Sequence, residues 1–342
     1  MSALMKRIGA CGAERVWCAD TPTRSRILRF VEPRLIPINA WLALLTGNGG
    51  WPQPLRDAGF QIHRLEAPVA TTLSTVVVDG LAINEVERVV QACEGKSGAN
   101  VETDQARKYQ ALSAPEIARQ VTLPPALSNE APRTSVEVLY GCIEGNEARI
   151  ERGLNEVGGR FATLVVGDGR VRLRAPTDMV TPSFDIEVPH GPPPRLIPVD
   201  AESPAEAFRE LLLPAVVAAA ARKEEVVSVD ALLDRSIPYW STFTPRQKTA
   251  TRGKAEQVLR GLSETEYEGD FRVEPGGPGI TGRVVRILRS PADYDARGET
   301  QGWQRLRRQG ERALRGAGRR RREVPGQISF EDLVREIERE QN

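Results

Sequence analysis

Two short apolar runs, each closing on charge, constrain this chain most. Val76-Val77-Val78 ends in Asp79-Gly80, and the run opening Val89-Val90-Gln91-Ala92-Cys93 ends in Glu94-Gly95-Lys96. β-Branched residues in runs of this length favour extended strands. Side chains two apart on a strand share a face, so Glu94 and Lys96 point the same way. If the runs pair as neighbouring strands, Asp79 meets them at the same end of the sheet and two acidic oxygen ligands lie beside one cation. That set suits a hard divalent metal: magnesium keeps several waters and binds through one or two carboxylates plus a substrate phosphate. The lysine is then placed to orient or deprotonate an attacking water. Downstream, a helix expected over 104–112 carries Gln105 and Tyr109 one turn apart on one face. A second reading needs no metal. In it the acid-x-lysine is a solvated strand pattern, Asp79-Gly80 is a turn pair and Tyr109 only packs.

In order and spacing, Asp79, Glu94-x-Lys96 and Gln105-x-x-x-Tyr109 resemble the PD-(D/E)XK nuclease superfamily, and the last motif resembles the Q-x-x-x-Y of its RecB-like branch. Val78 stands where a proline is usual in that family and Gly95 where an apolar residue is commoner. The resemblance implies an α/β, restriction-endonuclease-like fold, a mixed sheet flanked by helices. It implies Asp79 and Glu94 as ligands of Mg (or Mn), and Lys96 as the residue that activates water or stabilises charge. Gln105 and Tyr109 would position substrate or backbone. The activity implied is DNA phosphodiester hydrolysis, used by such enzymes in phage defence, restriction, recombination and repair. Some members carry a further acid on the helix before the strands, for which Glu32 and Asp57 are both candidates.

At 342 residues the chain is long for one compact domain. Its 40% hydrophobic and 27% charged residues describe an ordinary globular protein. No apolar run reaches bilayer-spanning length and no signal-peptide pattern opens the chain, so a cytoplasmic protein without a membrane partner is expected. Cys11, Cys18, Cys93 and Cys142 have no C-x-x-C spacing, and His63 and His190 lie far apart. A disulfide framework, a zinc site and histidine-dependent hydrolysis are therefore not expected. A carboxylate-and-magnesium mechanism needs none of them.

Periodicity predicts a helix around 41–45 ending at Gly47, a short helix over 54–58, and an alternating strand over 60–65 with His63 on its polar side. With the Asp79 and Glu94 strands this makes a three-stranded meander. A proline-rich connection leads to a strand over 136–140, then to a helix capped by Asn146 that stops near Val157. A buried strand over 161–166 turns at Gly167-Asp168-Gly169 into 171–174. These elements define an expected nuclease-like domain over 1–190, followed by a semi-rigid proline-rich linker over 191–203.

Beyond the linker, 204–290 reads as a mostly helical, winged-helix-like domain. Ser203-Pro204-Ala205-Glu206 and Thr244-Pro245-Arg246-Gln247 read as capping boxes, and Ser228 opens a short helix between them. The last helix carries Arg246, Lys248, Arg252, Lys254 and Arg260, and a hairpin follows it. In that order the basic third helix is the one to enter a DNA groove, although protein-docking modules share the order. The tail over 291–342 crowds arginines, among them Arg319, Arg320, Arg321 and Arg322, which attract phosphates. After them Phe330, Leu333, Val334 and Ile337 share one face of an acidic helix suited to a protein partner. Gln327-Ile328-Ser329-Phe330 resembles a bacterial sliding-clamp-binding peptide. DNA is the expected partner, and a homodimer stays open. The competing functions are a non-catalytic DNA-binding regulator or scaffold, and a nuclease subunit active only with a partner.

Overall fold

The computed structural model describes residues 33–277 and 282–288. Glu32, the arginine tail and the acidic helix expected after it lie outside the described residues.

Helix α1 (Leu35–Thr46) buries nearly its whole circumference, Asn39 and Trp41 included. A helix apolar all round sits inside a core rather than upon it. α1 lies against one face of a seven-stranded sheet ordered β1-β2-β3-β4-β5-β6-β7. After α1 come the short α2 (Pro54–Asp57), then β1 (Gln61–Ala70), β2 (Thr75–Asn84) and β3 (Val89–Gly95), which form the antiparallel meander. β4 (Ser135–Ile143) and β5 (Phe161–Val166) continue parallel to β3. Parallel neighbours need crossovers. α3 (Thr103–Gln110), α4 (Ala114–Gln120) and α5 (Pro125–Ser128) supply the first, and α6 (Glu147–Val157) the second. β6 (Arg170–Arg174) and β7 (Phe184–Glu187) return antiparallel at the far edge. The architecture is thus α/β, a mixed sheet flanked by helices.

Alternation along β3 divides the interior in two. Val89 and Cys93 join α1 in one apolar cluster, and Val90 and Ala92 join Tyr109, Ile117, Tyr140 and Ile150 in the other. Trp41 is a fully buried side chain of the first. Its ring rests on Gly80 of β2, where an added Cβ would lie 2.4 Å away. Its indole N–H donates to Gln91 Oε1 at 2.8 Å, and Gln91 passes the bond to Thr181 Oγ1 at 2.6 Å.

The chain continues as α7 (Ala205–Ala221), β8 (Val226–Ser228), α8 (Val229–Ser236), α9 (Pro245–Glu264), β9 (Phe271–Pro275) and β10 (Arg283–Ile287). These last strands form a three-stranded sheet ordered β8-β10-β9. Phe208, Leu233, Leu259 and Val285 belong to the same apolar cluster as Trp41. No described helix is long and apolar enough to cross a membrane.

Several local expectations change in the folded chain. The stretch expected to be a semi-rigid linker is packed: Leu196, Ile197 and Val199 are buried, and Asn39 of α1 exchanges two hydrogen bonds with the Ile197 backbone, at 3.0 and 2.6 Å. Ser203 caps nothing, because its hydroxyl bonds to Asp200, and α7 starts after Pro204 without a side-chain cap. Asn146 also fails to cap; its amide reaches the Ser97 carbonyl at 3.4 Å. The proline-rich connection holds α4, opened by the Ser113 and Glu116 capping box. His63 is half-buried beside a register shift in β1, and burial lowers its pKa.

Gly80→Ala forces α1 off the sheet. Overpacking of this kind costs about 1–3 kcal/mol, to be read as a lower urea midpoint with an unchanged slope. A midpoint equal to wild type would show that Trp41 can yield without loss.

Candidate active site

The meander and the first crossover bring the five singled-out residues together. β2 pairs with β3 through Gly80 and Cys93, so Asp79 and Glu94 face each other one step further on. Asp79 therefore lies within β2, and the turn reading of Asp79-Gly80 is corrected. β3 ends at Gly95, and the next residue is still tied to β4, since Lys96 N–H donates to the Gly141 carbonyl at 2.8 Å. Gly95 itself has a steric cause: a Cβ there would meet the Arg34 carbonyl at 2.6 Å, where α1 begins.

Glu94 is the hub. Its Oε1 lies 2.9 Å from Lys96 Nζ and accepts from Gln105 Nε2 at 2.7 Å. Lys96 Nζ also donates to Gln105 Oε1, which closes a three-membered ring of contacts. The Tyr109 hydroxyl bonds to the other oxygen, Oε2, and lies 3.0 Å from the Val77 carbonyl. Helical spacing on α3 puts Gln105 and Tyr109 over the same carboxylate, with Tyr109 buried and Gln105 half-buried. Tyr140 of β4, not foreseen, completes the wall. Its ring stands edge-on to Tyr109 at 5.7 Å, with Lys96 Nζ 5.9 Å from its centroid. Its hydroxyl is buried without a hydrogen-bond partner among the described residues.

Asp79 is buried and accepts the Gly95 N–H at 2.7 Å. Burial first, then the negative charges of Glu94 and Glu66, hold its pKa well above the usual carboxylate range; the Gly95 N–H and Arg34 oppose this. Glu66 is the acid that sequence reasoning missed. It stands opposite Asp79, between the pairs Leu65 with Gly80 and Ala67 with Val78. Alternation slips at this step in both strands. Leu65 faces the α1 cluster but Ala67 and Val69 the other, and Val76 and Val78 share a cluster with Leu81 and Ile83. Glu66 takes a left-handed φ of 52° there, a local departure from extended strand geometry. The alternating pattern was read only to Leu65, one residue short of it.

Arg34 bonds to Asp200, a side chain with no exposure, and so is already largely neutralised. Three carboxyl groups, Asp79, Glu94 and Glu66, thus act on one another beside the single ammonium of Lys96. Among the described residues no group of three or more histidine, cysteine, aspartate or glutamate side chains could hold a metal ion. A divalent cation here would rest on Asp79 and Glu94 and fill its shell with waters and substrate oxygens, which magnesium tolerates. Asp57 is exposed at the end of α2 and is not among the charges acting on Asp79.

The basic residues of α9 serve different ends. Arg246 is exposed. Arg252 is bound to Asp230 at 2.7 Å. Lys248 Nζ lies 5.7 Å from the Trp240 ring, and Lys254 is half-buried beside Glu206 and Gln257, where α7 meets α9. Arg319, Arg320, Arg321 and Arg322 are outside the described residues. No protein-family model matches the chain, and no curated protein or solved structure is significantly similar to it.

Glu66 is pushed up to about 8, chiefly by burial and then by Asp200, with Arg34 opposing. A carboxyl raised on folding leaves stability intact below the ordinary carboxylate range and lowers it as pH climbs through the folded value. In chelator, Glu66→Gln therefore raises the melting temperature above pH ~8 and changes it little near pH ~4. Equal shifts at the two extremes in thermal melts would contradict the burial of this charge.

Proposed function

We propose that this chain is a divalent-metal-dependent DNA nuclease, with a restriction-endonuclease-like core and a winged-helix-like module that helps hold the substrate. The observation that carries this reading is the convergence of Lys96, Gln105 and Tyr109 on the Glu94 carboxylate beside Asp79. A meander followed by a helical crossover to a parallel strand supports it, being the arrangement that the PD-(D/E)XK resemblance implies.

Asp79 and Glu94 would hold Mg (or Mn). The metal would supply a Lewis acid for a phosphoryl oxygen and a bound water of lowered pKa. Lys96, fixed by Glu94 and Gln105, presents an ammonium that steadies the attacking water or the charge developing on the phosphoryl oxygens. Gln105 keeps the amine and the carboxylate in register with its two ends, donating to Glu94 and accepting from Lys96. Tyr109 holds the second oxygen of Glu94 and so stops the carboxylate from rotating.

For the second module, support comes from the order α7, β8, α8, α9, β9, β10 and the sheet order β8-β10-β9. α9 exposes Arg246, Thr249, Gly253, Gln257 and Arg260 along one stripe, a face fit to lie in a groove. Arg246 and Arg260 are the cations we assign to phosphate contact.

Asp79→Ala, Glu94→Ala and Lys96→Ala each lower metal-dependent cleavage of linear duplex DNA by about 10²-fold or more and leave DNA affinity largely intact. Gel assays with magnesium, manganese or EDTA read this, and wild-type rates in all three variants would end the assignment. In the double variant Arg246→Ala with Arg260→Ala, DNA binding weakens and the slope of log affinity against log salt flattens by roughly 2. Arg252→Ala instead lowers the melting temperature. An unchanged salt slope in the double variant would remove α9 from the interface.

A further inference from the structure

The end of the β1–β2 hairpin, residues 67–78, has no charged side chain, in a chain that is 27% charged. β2 pairs with β3 only over 80–84, so this arm runs past the end of β3, its two strands paired only with each other. One face is packed, with Ala67, Val69, Val76 and Val78 in the Tyr109 cluster. The other face and the tip are open: Val77 is 43% exposed and Leu73 60%.

Thr71 ties the tip. Its N–H and its hydroxyl both donate to the Ser74 carbonyl at 2.8 Å, and Leu73 N–H and Ser74 N–H both donate to its Oγ1 at 3.2 Å. Leu73 is therefore presented on a fixed turn. Addition of another strand is disfavoured, because β1 is the outer strand of the sheet and Pro68 on it has no N–H to offer. The arm also adjoins the site: Val77 precedes Asp79 by two residues, and its carbonyl lies beside the Tyr109 hydroxyl.

The arm continues directly from the strand that carries Asp79, whose partner across the β2–β3 pair is Glu94. With no cation, the arm adds nothing to phosphate attraction. What it offers is apolar contact with bases and sugars. We propose that the arm is a wedge for duplex DNA: Leu73 enters a base step beside the scissile phosphate and unstacks it, while Val77 lies against the adjoining sugars. Unstacking costs on the order of a few kcal/mol per step, offset by the contacts that the opened duplex permits. The inference rests on the nuclease reading and adds the form of its substrate.

The test uses the full chain carrying Lys96→Ala, so that duplex DNA is bound but not cut, with 2-aminopurine moved along the duplex one position at a time. Fluorescence should rise at one or two neighbouring positions, and Leu73→Ala should abolish the rise. In the otherwise wild-type chain, Leu73→Ala should slow duplex cleavage about tenfold, equivalent to ~1.4 kcal/mol, and leave single-strand cleavage unchanged. Thr71→Val, which frees the turn without touching Leu73, should lower both readouts in the same direction. Duplex binding with no fluorescence rise at any position overturns the wedge, as does a rise that survives Leu73→Ala, or equal loss on duplex and single strands. Conversion of a solution dimer to monomer by Leu73→Ser, with duplex cleavage retained, overturns it in favour of self-association. Absence of any binding or cutting by the wild-type chain, with either metal, brings down the nuclease reading and the wedge together; the other failures leave cutting intact.

Discussion

The contact on which the rest of this structure depends is the seating of α1 on glycine. Trp41 lies against Gly80, the Arg34 carbonyl against Gly95 and Pro37 against Gly141, each too close to admit a Cβ without a shift. Three neighbouring strands are thereby brought under one buried helix. The apolar area of α1 can be hidden only if the strands let it approach, since interiors pack at the density of organic crystals. The same approach sets Asp79 and Glu94, because Gly80 and Gly95 each adjoin one of the two acids.

Charge is arranged around that contact with less economy. Burial disfavours ionised carboxyl groups, and Asp79 and Glu66 are raised for that reason before any other. Lys96 is spent on Glu94, and Arg34 on Asp200. A cation entering beside Asp79 would favour the ionised carboxylate that burial and the neighbouring acids oppose. In the nuclease reading, that is the service a hard divalent metal would perform at this site.

The C-terminal elements are coupled to the same strands. Thr244, which caps α9, donates its hydroxyl to the Glu66 carbonyl at 3.2 Å, and Phe243 bridges to Leu65. Asn39 of α1 and Arg34 just before it hold the segment that leads into α7. The start of the basic helix is thus tied to the strand step opposite Asp79. In the nuclease reading, duplex lying along α9 and its scissile phosphate are set at a fixed separation by these contacts.

Much was legible locally. Gly47 and Gly158 end their helices in left-handed conformations, the mostly apolar run over 161–166 is a fully buried strand, and Gln105 and Tyr109 share a helix face. Such features are written in a few consecutive residues by backbone sterics and side-chain periodicity. Other features were set by partners distant in sequence. Ser203 lost its capping role to Asp200, Arg252 was taken by Asp230, and 196–199 was covered by α1. Glu66 stands opposite Asp79 where the side-chain alternation of both strands changes face. The sequence by itself determined the strands, the helix faces and the residue types able to do metal chemistry. Only the tertiary structure decided which polar groups are partnered and which carboxylates share a buried space, because partnership and burial depend on what the rest of the chain brings alongside.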